Sequence, residues 1–176
     1  MKKILGKDDI RRSLMRISHE ILERNKGAED IVLLGIYTRG YYLAKRISEN
    51  IQMIEGIAVP VGGLDVGPFR DDEKKTKEDK SNINFEVKNK VVILVDDVLF
   101  TGRTIRAAMD AVTSRGRPKF IQLAVLVDRG HREFPIRPDY VGKNIPSSKE
   151  RETIKVRISE VDEEDSVYIL DKEEEQ

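Results

Sequence analysis

Cysteine is absent, so the chain can form neither a disulfide framework nor a thiolate metal site. No apolar run is long enough to cross a bilayer. The opening Met1-Lys2-Lys3-Ile4-Leu5-Gly6-Lys7 lacks the apolar core of a secretory signal. No internal repeat is present. A net charge is also missing, because 32 basic side chains meet 32 acidic ones. With 39% hydrophobic and 36% charged residues, the composition is that of a soluble globular protein, and the expected location is the cytoplasm with no membrane partner. A length of 176 residues suits a single domain. The neutral total hides an asymmetry. Residues 160–176 hold nine acids and one base, Lys172, so that segment carries −8 and the rest of the chain +8. The segment reads as a solubilising acidic tail. The body is basic enough to meet phosphates.

Apolar periodicity orders the rest. Ile10, Leu14, Ile17 and Ile21 make one face of a helix over 9–25, with Asp8 or Asp9 as its cap and Gly27 beyond its end. The run 31–36 is continuously apolar, as in a parallel strand covered on both faces. A helix over 41–50 and a strand near 57–66 follow. Residues 67–90 then change character. Gly67-Pro68 breaks the pattern and Arg70–Lys80 is almost wholly charged, which predicts a mobile loop. Next come a strand at 91–95, a helix at 103–115 closed by Gly116, and a strand at 120–127. Residues 128–148 are loop-rich with a short strand near Tyr140-Val141. Late strands at 153–158 and 167–169 could be antiparallel. Strands alternating with helices predict an α/β fold, with a mostly parallel central sheet flanked by helices.

The chemistry concentrates at residues 91–104, Val-Val-Ile-Leu-Val-Asp-Asp-Val-Leu-Phe-Thr-Gly-Arg-Thr. A buried strand delivers Asp96 and Asp97 to the carboxyl edge of the sheet, where open α/β sheets bind ligands. Val98, Leu99 and Phe100 lead into Thr101-Gly102-Arg103-Thr104 and a helix start. Amides at a helix start attract phosphate. Gly102 permits close approach of the backbone, and the Thr101 and Thr104 hydroxyls add donors. The two carboxylates match the donors of a sugar diol. Together these features describe a cradle for ribose 5-phosphate. The dinucleotide fingerprint and the P-loop are both missing. A phospho-receiver domain also pairs acids after a strand, but its pair belongs on the first strand. Asp128 could mimic its acceptor, yet no later strand ends in a matching lysine.

This segment resembles the signature of the type I phosphoribosyltransferases. Thr38-Arg39-Gly40 resembles their pyrophosphate loop, which often holds a strained cis peptide; taken alone, Arg39 is an ordinary surface arginine. The resemblance implies transfer of ribose 5-phosphate from phosphoribosyl pyrophosphate, with Asp96 and Asp97 as catalytic groups and Mg²⁺ on the pyrophosphate. It implies no dedicated metal site, with Asp96 or Asp128 as candidates to touch the ion. The 67–90 loop would close over the site, where Arg70, Lys74, Lys75 and Lys77 could reach the pyrophosphate. Each of these, read singly, is a solvated charge.

A narrower resemblance covers almost the whole chain outside 67–90 and the tail. Residues 10–27 and 124–146 are similar to the bifunctional pyrimidine-operon attenuation regulators and uracil phosphoribosyltransferases. That family implies uracil plus phosphoribosyl pyrophosphate giving UMP and pyrophosphate. It also implies binding of pyrimidine-operon leader mRNA in response to UMP or UTP, and assembly into a homodimer or larger homo-oligomer. Arg129 matches the hood segment (about 128–160) over the nucleotide, as a base-side contact. Independently, Arg12, Arg16 and His19 lie opposite the apolar face of the first helix, with Arg24 further along. His131, Arg132, Arg137 and Lys143 form a second basic group. Such groups suit RNA phosphates and bases, although from the helix alone Glu20 and Glu23 balance the face. The chain departs from the family at Val66-Gly67-Pro68, at Met15 beside the basic face, and at Phe100 in place of a tyrosine. A purine-base phosphoribosyltransferase without an RNA role is the alternative.

Overall fold

The computed structural model describes residues 1–175, with side chains through Glu173; Gln176, the end of the expected tail, lies outside the described residues. Its elements are β1 (Lys2–Leu5), α1 (Lys7–Asn25), β2 (Ile31–Ile36), α2 (Arg39–Glu55), β3 (Val61–Leu64), β4 (Val91–Leu99), α3 (Arg103–Arg115), β5 (Phe120–Asp128), β6 (Tyr140–Asn144), β7 (Glu152–Arg157), α4 (Ser159–Asp162) and β8 (Ser166–Asp171). Five strands form a parallel sheet in the order β3-β2-β4-β5-β6. A second, antiparallel sheet has the order β1-β8-β7. Among the described residues no helix is long and apolar enough to cross a membrane.

The central strands are apolar throughout because both of their faces are covered. Leu33, Ile93 and Val95 point into one core with Ile10, Ile17 and Ile21 of α1 and Leu43 and Ile47 of α2. Their neighbours Leu34, Val92 and Leu94 point into the other core, against Ala107, Ala108 and Val112 of α3. At the start of α1 the Asp9 carboxylate accepts the Gly6 N–H at 2.9 Å, so Gly6 is the cap and Asp9 sits one turn in. Lys26 closes the helix in the left-handed region, and Gly27 N–H reaches Leu22 O at 2.9 Å.

Several expectations change. The second helix runs longer than 41–50, and the strand near 57–66 shrinks to Val61–Leu64 after Pro60. β4 does not stop at 95; it stays paired with β5 as far as Leu99↔Asp128. Not all of 67–90 is a free loop. Asn82 bridges to Gly63, and Ile83, Phe85 and Val87 pack on the α3 core, which leaves 70–80 as the exposed span.

A further change concerns the acidic segment. Residues 160–171 are not a solubilising tail: they build α4 and β8, and β8 is the central strand of the small sheet. Their acids serve as clasps. Arg46 of α2 donates to both oxygens of Asp165, at 2.8 and 2.9 Å, and also to Glu160. Burial pushes the Asp165 carboxyl up, but the Arg46 hydrogen bonds win and hold it below the ordinary range. A depressed carboxyl contributes stability above its unfolded pKa near 4, and that stability disappears as pH falls through the folded value. Arg46→Met is therefore expected to cost about 2–3 kcal/mol at pH 7 in urea unfolding, below the figure for a fully buried pair. The gap between variant and wild type should close as pH drops below about 4.

Candidate active site

The pairing of β4 with β5 carries Asp96 past the point where a loop would release it to water. Asp96 stays opposite Val125 and is 8% exposed, while Asp97, next along the strand, is half-buried. Each carboxylate accepts the following backbone N–H: Asp96 from Asp97 at 2.9 Å, and Asp97 from Val98 at 2.8 Å. Burial drives the Asp96 carboxyl well above its ordinary range, and the neighbouring Asp97 charge adds to the shift. Sugar hydroxyl donors or a cation would relieve this pressure.

Beyond Phe100 the chain turns through Gly102, whose φ of +94° belongs to the left-handed region that favours glycine. Thr101 Oγ1 accepts the Arg103 N–H at 3.2 Å, and Arg106 N–H begins the helical ladder on Gly102 O at 2.9 Å. The start of α3, with its outward N–H groups, therefore faces the same space as the Asp96 carboxylate. Arg70 arrives from the expected loop. It donates to Thr104 Oγ1 at 3.2 Å while held by Asp72 at 2.7 and 3.0 Å. The cavity between them is about 210 Å³ and is lined by Asp96, Phe100, Thr101, Thr104, Arg70 and Lys74 among others. Lys75 and Lys77 do not line it.

The Thr38-Arg39-Gly40 turn forms the neighbouring wall. The Tyr37–Thr38 peptide bond is cis. Gly40 packs so closely on β4 that an added Cβ would sit 2.4 Å from Val95 O and 3.2 Å from the Asp96 Cα. Arg39 is paired through its Nε and Nη2 with Asp162 of α4, at 2.9 and 2.7 Å. Sequence reasoning missed Asp162, which lay inside the acid run. It also missed Asp71 and Glu133. Asp71 reaches Arg103 and Arg106 at 3.3 and 3.1 Å, and Glu133 reaches Arg103 at 3.0 Å. These contacts latch the exposed span and the hood loop to the start of α3. Nothing in the local sequence marks any of the three.

A second cavity of about 400 Å³ opens between the ends of β5 and β6, lined by Asp128, Arg129, Gly130, His131, Asn144, Pro146 and Ser147. Phe100 stands between the two cavities, with the Arg129 guanidinium 4.1 Å from its ring centroid and the His131 ring edge-on at 5.9 Å. Arg129 spends its donors on Ser147 Oγ and on the carbonyls of Ser148 and Glu152, so it braces the hood as well as lining the cavity. Asp128 accepts from the Gly130 N–H and from Arg132, which leaves it poorly placed to take a metal ion. No group of three or more potential metal ligands occurs among the described residues.

The two basic groups converge in part. Arg16, half exposed, donates to the carbonyls of Val141 and Gly142 at 3.1 and 2.7 Å, which sets α1 directly on the edge strand β6 beside the exposed Lys143. Arg12 and His19 are exposed on the same helix, and Arg24 is tied to Asp139 at 2.6 Å. Arg137 is exposed on the hood loop. Arg132 turns inward, to Asp128 and the Phe100 carbonyl, and His131 is bonded to the Ser147 carbonyl.

Residues 2–160 match the family model of the phosphoribosyl transferase domain. The chain is 57% identical over 170 residues to the bifunctional protein PyrR of Alkaliphilus metalliredigens, covering 94% of this chain and 93% of that one. It is 56% identical over 168 residues to the pyrimidine operon regulatory protein of Lactococcus lactis subsp. lactis, covering 96% of each. Among solved structures, hypoxanthine phosphoribosyltransferase of Trypanosoma cruzi superposes with a TM-score of 0.76 at 17% identity, over 97% of both chains. At that identity the likeness is one of fold.

The buried Asp96 charge generates a prediction about stability. Asp96→Asn keeps the shape and removes the repelled carboxylate. At pH 7 the unliganded variant should melt about 2–4 °C above wild type, corresponding to about 1 kcal/mol. The advantage should vanish at acid pH, where Asp96 is already protonated. A melting temperature below wild type at pH 7 would contradict the electrostatic account.

Proposed function

This chain belongs to the family of bifunctional PyrR proteins, built on a phosphoribosyltransferase domain, and from that premise we propose how its residues divide the work. It is a pyrimidine operon regulator and a uracil phosphoribosyltransferase. One observation carries the assignment of the site: on a still-paired strand end, Asp96 shares a cavity with Thr101–Thr104 at the start of α3, and Asp97 is its neighbour along the strand.

The ribose 5-phosphate of phosphoribosyl pyrophosphate lies with its phosphate on Thr101–Thr104 and its diol on Asp96 and Asp97, while Val98, Leu99 and Phe100 form the floor. Thr38, Arg39 and Gly40 receive the pyrophosphate. Uracil occupies the cavity between Arg129 and Pro146, edge to edge with Phe100. A uracil ring nitrogen attacks the anomeric carbon as the bond to pyrophosphate breaks, and the proton that nitrogen carried passes to solvent. The carbon turns oxocarbenium-like, and the adjacent carboxylates stabilise that charge where it develops. Mg²⁺ fits as an ion that arrives with its substrate, since Asp96 and Asp97 offer two carboxylates and no wider cage; when bound it neutralises the leaving pyrophosphate. Arg70, Asp71 and Glu133 hold the 67–80 span and the hood loop over the site, which excludes water. A purine base as substrate has no observation in its favour.

Regulation uses a surface that meets the uracil cavity only at His131. Arg12, Arg16, His19 and Arg24 on α1, with Lys143 on β6 and Arg137 and His131 on the hood loop, present cations and flat groups to leader mRNA. Arg132 works from beneath, by fixing the hood loop. UMP or UTP bound against Phe100 and Arg129 orders that loop and favours the RNA-binding form. The whole chain acts as one domain in the cytoplasm, and a homodimer or larger homo-oligomer would set two such surfaces side by side.

Asp97→Asn is expected to lower the rate of UMP formation by a factor of about 100 or more without loss of fold. Wild-type turnover in that variant would refute the catalytic assignment. Arg12→Ala and Lys143→Ala should each weaken leader-RNA binding and reduce the slope of log affinity against log salt by about 1, with UMP formation unchanged. Unaltered slopes in both would remove the proposed surface.

A further inference from the structure

The reaction uses the carboxyl end of the parallel sheet, and the amino end carries a second concentration of charge. β4 and β5 begin side by side there. Lys119 N–H donates to Lys90 O at 2.8 Å, and Asn89 N–H donates to Arg117 O at 3.0 Å. Lys88, Lys90, Arg117 and Lys119 therefore crowd onto one edge. Lys90 is paired with Asp30 at 3.3 Å. Lys88, Arg117 and Lys119, and Lys26 at the end of α1, have no ion-pair partner among the described residues. Amid these cations Phe120 is 58% exposed, with the Lys119 ammonium 5.9 Å from its ring centroid. An exposed phenyl ring at the first position of a strand adds little to the core.

Its direction can be read from the strand. Phe120 and Gln122 are two residues apart on β5 and so share a face of the sheet. Gln122 exchanges hydrogen bonds with Asn25 in the last turn of α1, at 3.0 and 3.1 Å. Phe120 thus lies on the α1 side, one step beyond the end of that helix. The basic face of α1 leads toward it, from Arg12 through Arg16, His19 and Arg24 to Lys26, a rise of about 21 Å. Glu23 and Glu29 flank Lys26, so the positive excess is centred on the β4–β5 edge.

We propose that the RNA surface continues past the end of α1 onto this edge, where Phe120 stacks on an unpaired base and Lys88, Arg117 and Lys119 hold the flanking phosphates. The inference rests on the RNA-binding reading above and extends it to residues outside the helix and hood. Aromatic faces among cations are what unpaired RNA segments require, because every base has a face to stack and every linkage a charge to neutralise. The same cations argue against an apolar protein partner.

The test measures binding of leader RNA, transcribed from the host's own pyrimidine operon, to the full chain with UMP present across a salt series. Phe120→Ser should weaken binding about tenfold, in line with one stacked base. Phe120→Trp should bind within about twofold of wild type, and Lys119→Ala should lower the salt slope by about 1. UMP formation should be unchanged in all three, because the edge is at the far end of the strands from the reaction. Wild-type RNA affinity in Phe120→Ser, while Arg12→Ala is impaired, would overturn this inference and leave the α1 surface standing. A change in sedimentation of Phe120→Ser with no change in RNA affinity would mark the ring as a contact between copies of the chain and would equally overturn it. If wild type fails to bind the transcript at all, both readings fall.

Discussion

The persistence of β4–β5 pairing beyond Val95 is the constraint on which the remainder of the molecule turns. A strand that ended at its last apolar residue would let Asp96 and Asp97 fan out into water as ordinary surface acids. Here the ladder continues to Leu99↔Asp128, so Asp96 is carried into the interior beside a second carboxylate. The folded state carries an electrostatic burden that its apo form does not relieve. Such a local cost is typical of a position held for ligand chemistry rather than for stability. On the proposed reading the ligand supplies what is missing: hydroxyl donors on one side and a developing positive centre on the other.

The walls around that strand end come from distant parts of the chain, and arginine–carboxylate pairs join them. Arg46 draws the small sheet onto α2 through Asp165 and Glu160, and Arg39 meets Asp162 of α4. Arg103 gathers Asp71 from the exposed span and Glu133 from the hood loop at the start of α3. The Arg103 pairs are half exposed, so each is worth little alone. Their value is geometric, since they fix which loops approach the site and from which side. The side proposed for RNA is organised differently. Arg16 caps two carbonyls of the edge strand β6, which seats α1 on the sheet and leaves Arg12, His19 and Lys143 free to face outward.

Much of this was legible in the residues. Continuous apolar runs announced β2, β4 and β5, because a strand covered on both faces has no polar side to display. Asp96, Asp97, Thr101 and Gly102 announced the strand end, the turn and the start of α3, because acids followed by a glycine turn and a helix form a local motif. Long-range pairing was not legible. β1 is only Lys2–Leu5, and two of its four residues are charged; it exists because β8 offers it an edge. The acids from Glu160 to Asp165 looked like a solvated tail, since a run of like charge gives no hint of the arginines that will meet it. For the same reason the sequence suggests an outward RNA contact at Arg132, which faces Asp128, and gives no sign of Asp162 beside Arg39. Asp71 and Glu133 lie in loops whose partners are about thirty residues away, beyond any periodicity.

The central claim concerns the grip of a strand end and a helix start on a phosphorylated sugar. A crystal structure of the chain with UMP tests it most directly. The account predicts the phosphate on the amides and hydroxyls of Thr101–Thr104, the ribose diol on Asp96 and Asp97, and the uracil ring beside Phe100 and Arg129. Well-ordered UMP bound elsewhere, with the Phe100–Thr104 turn empty, would contradict it.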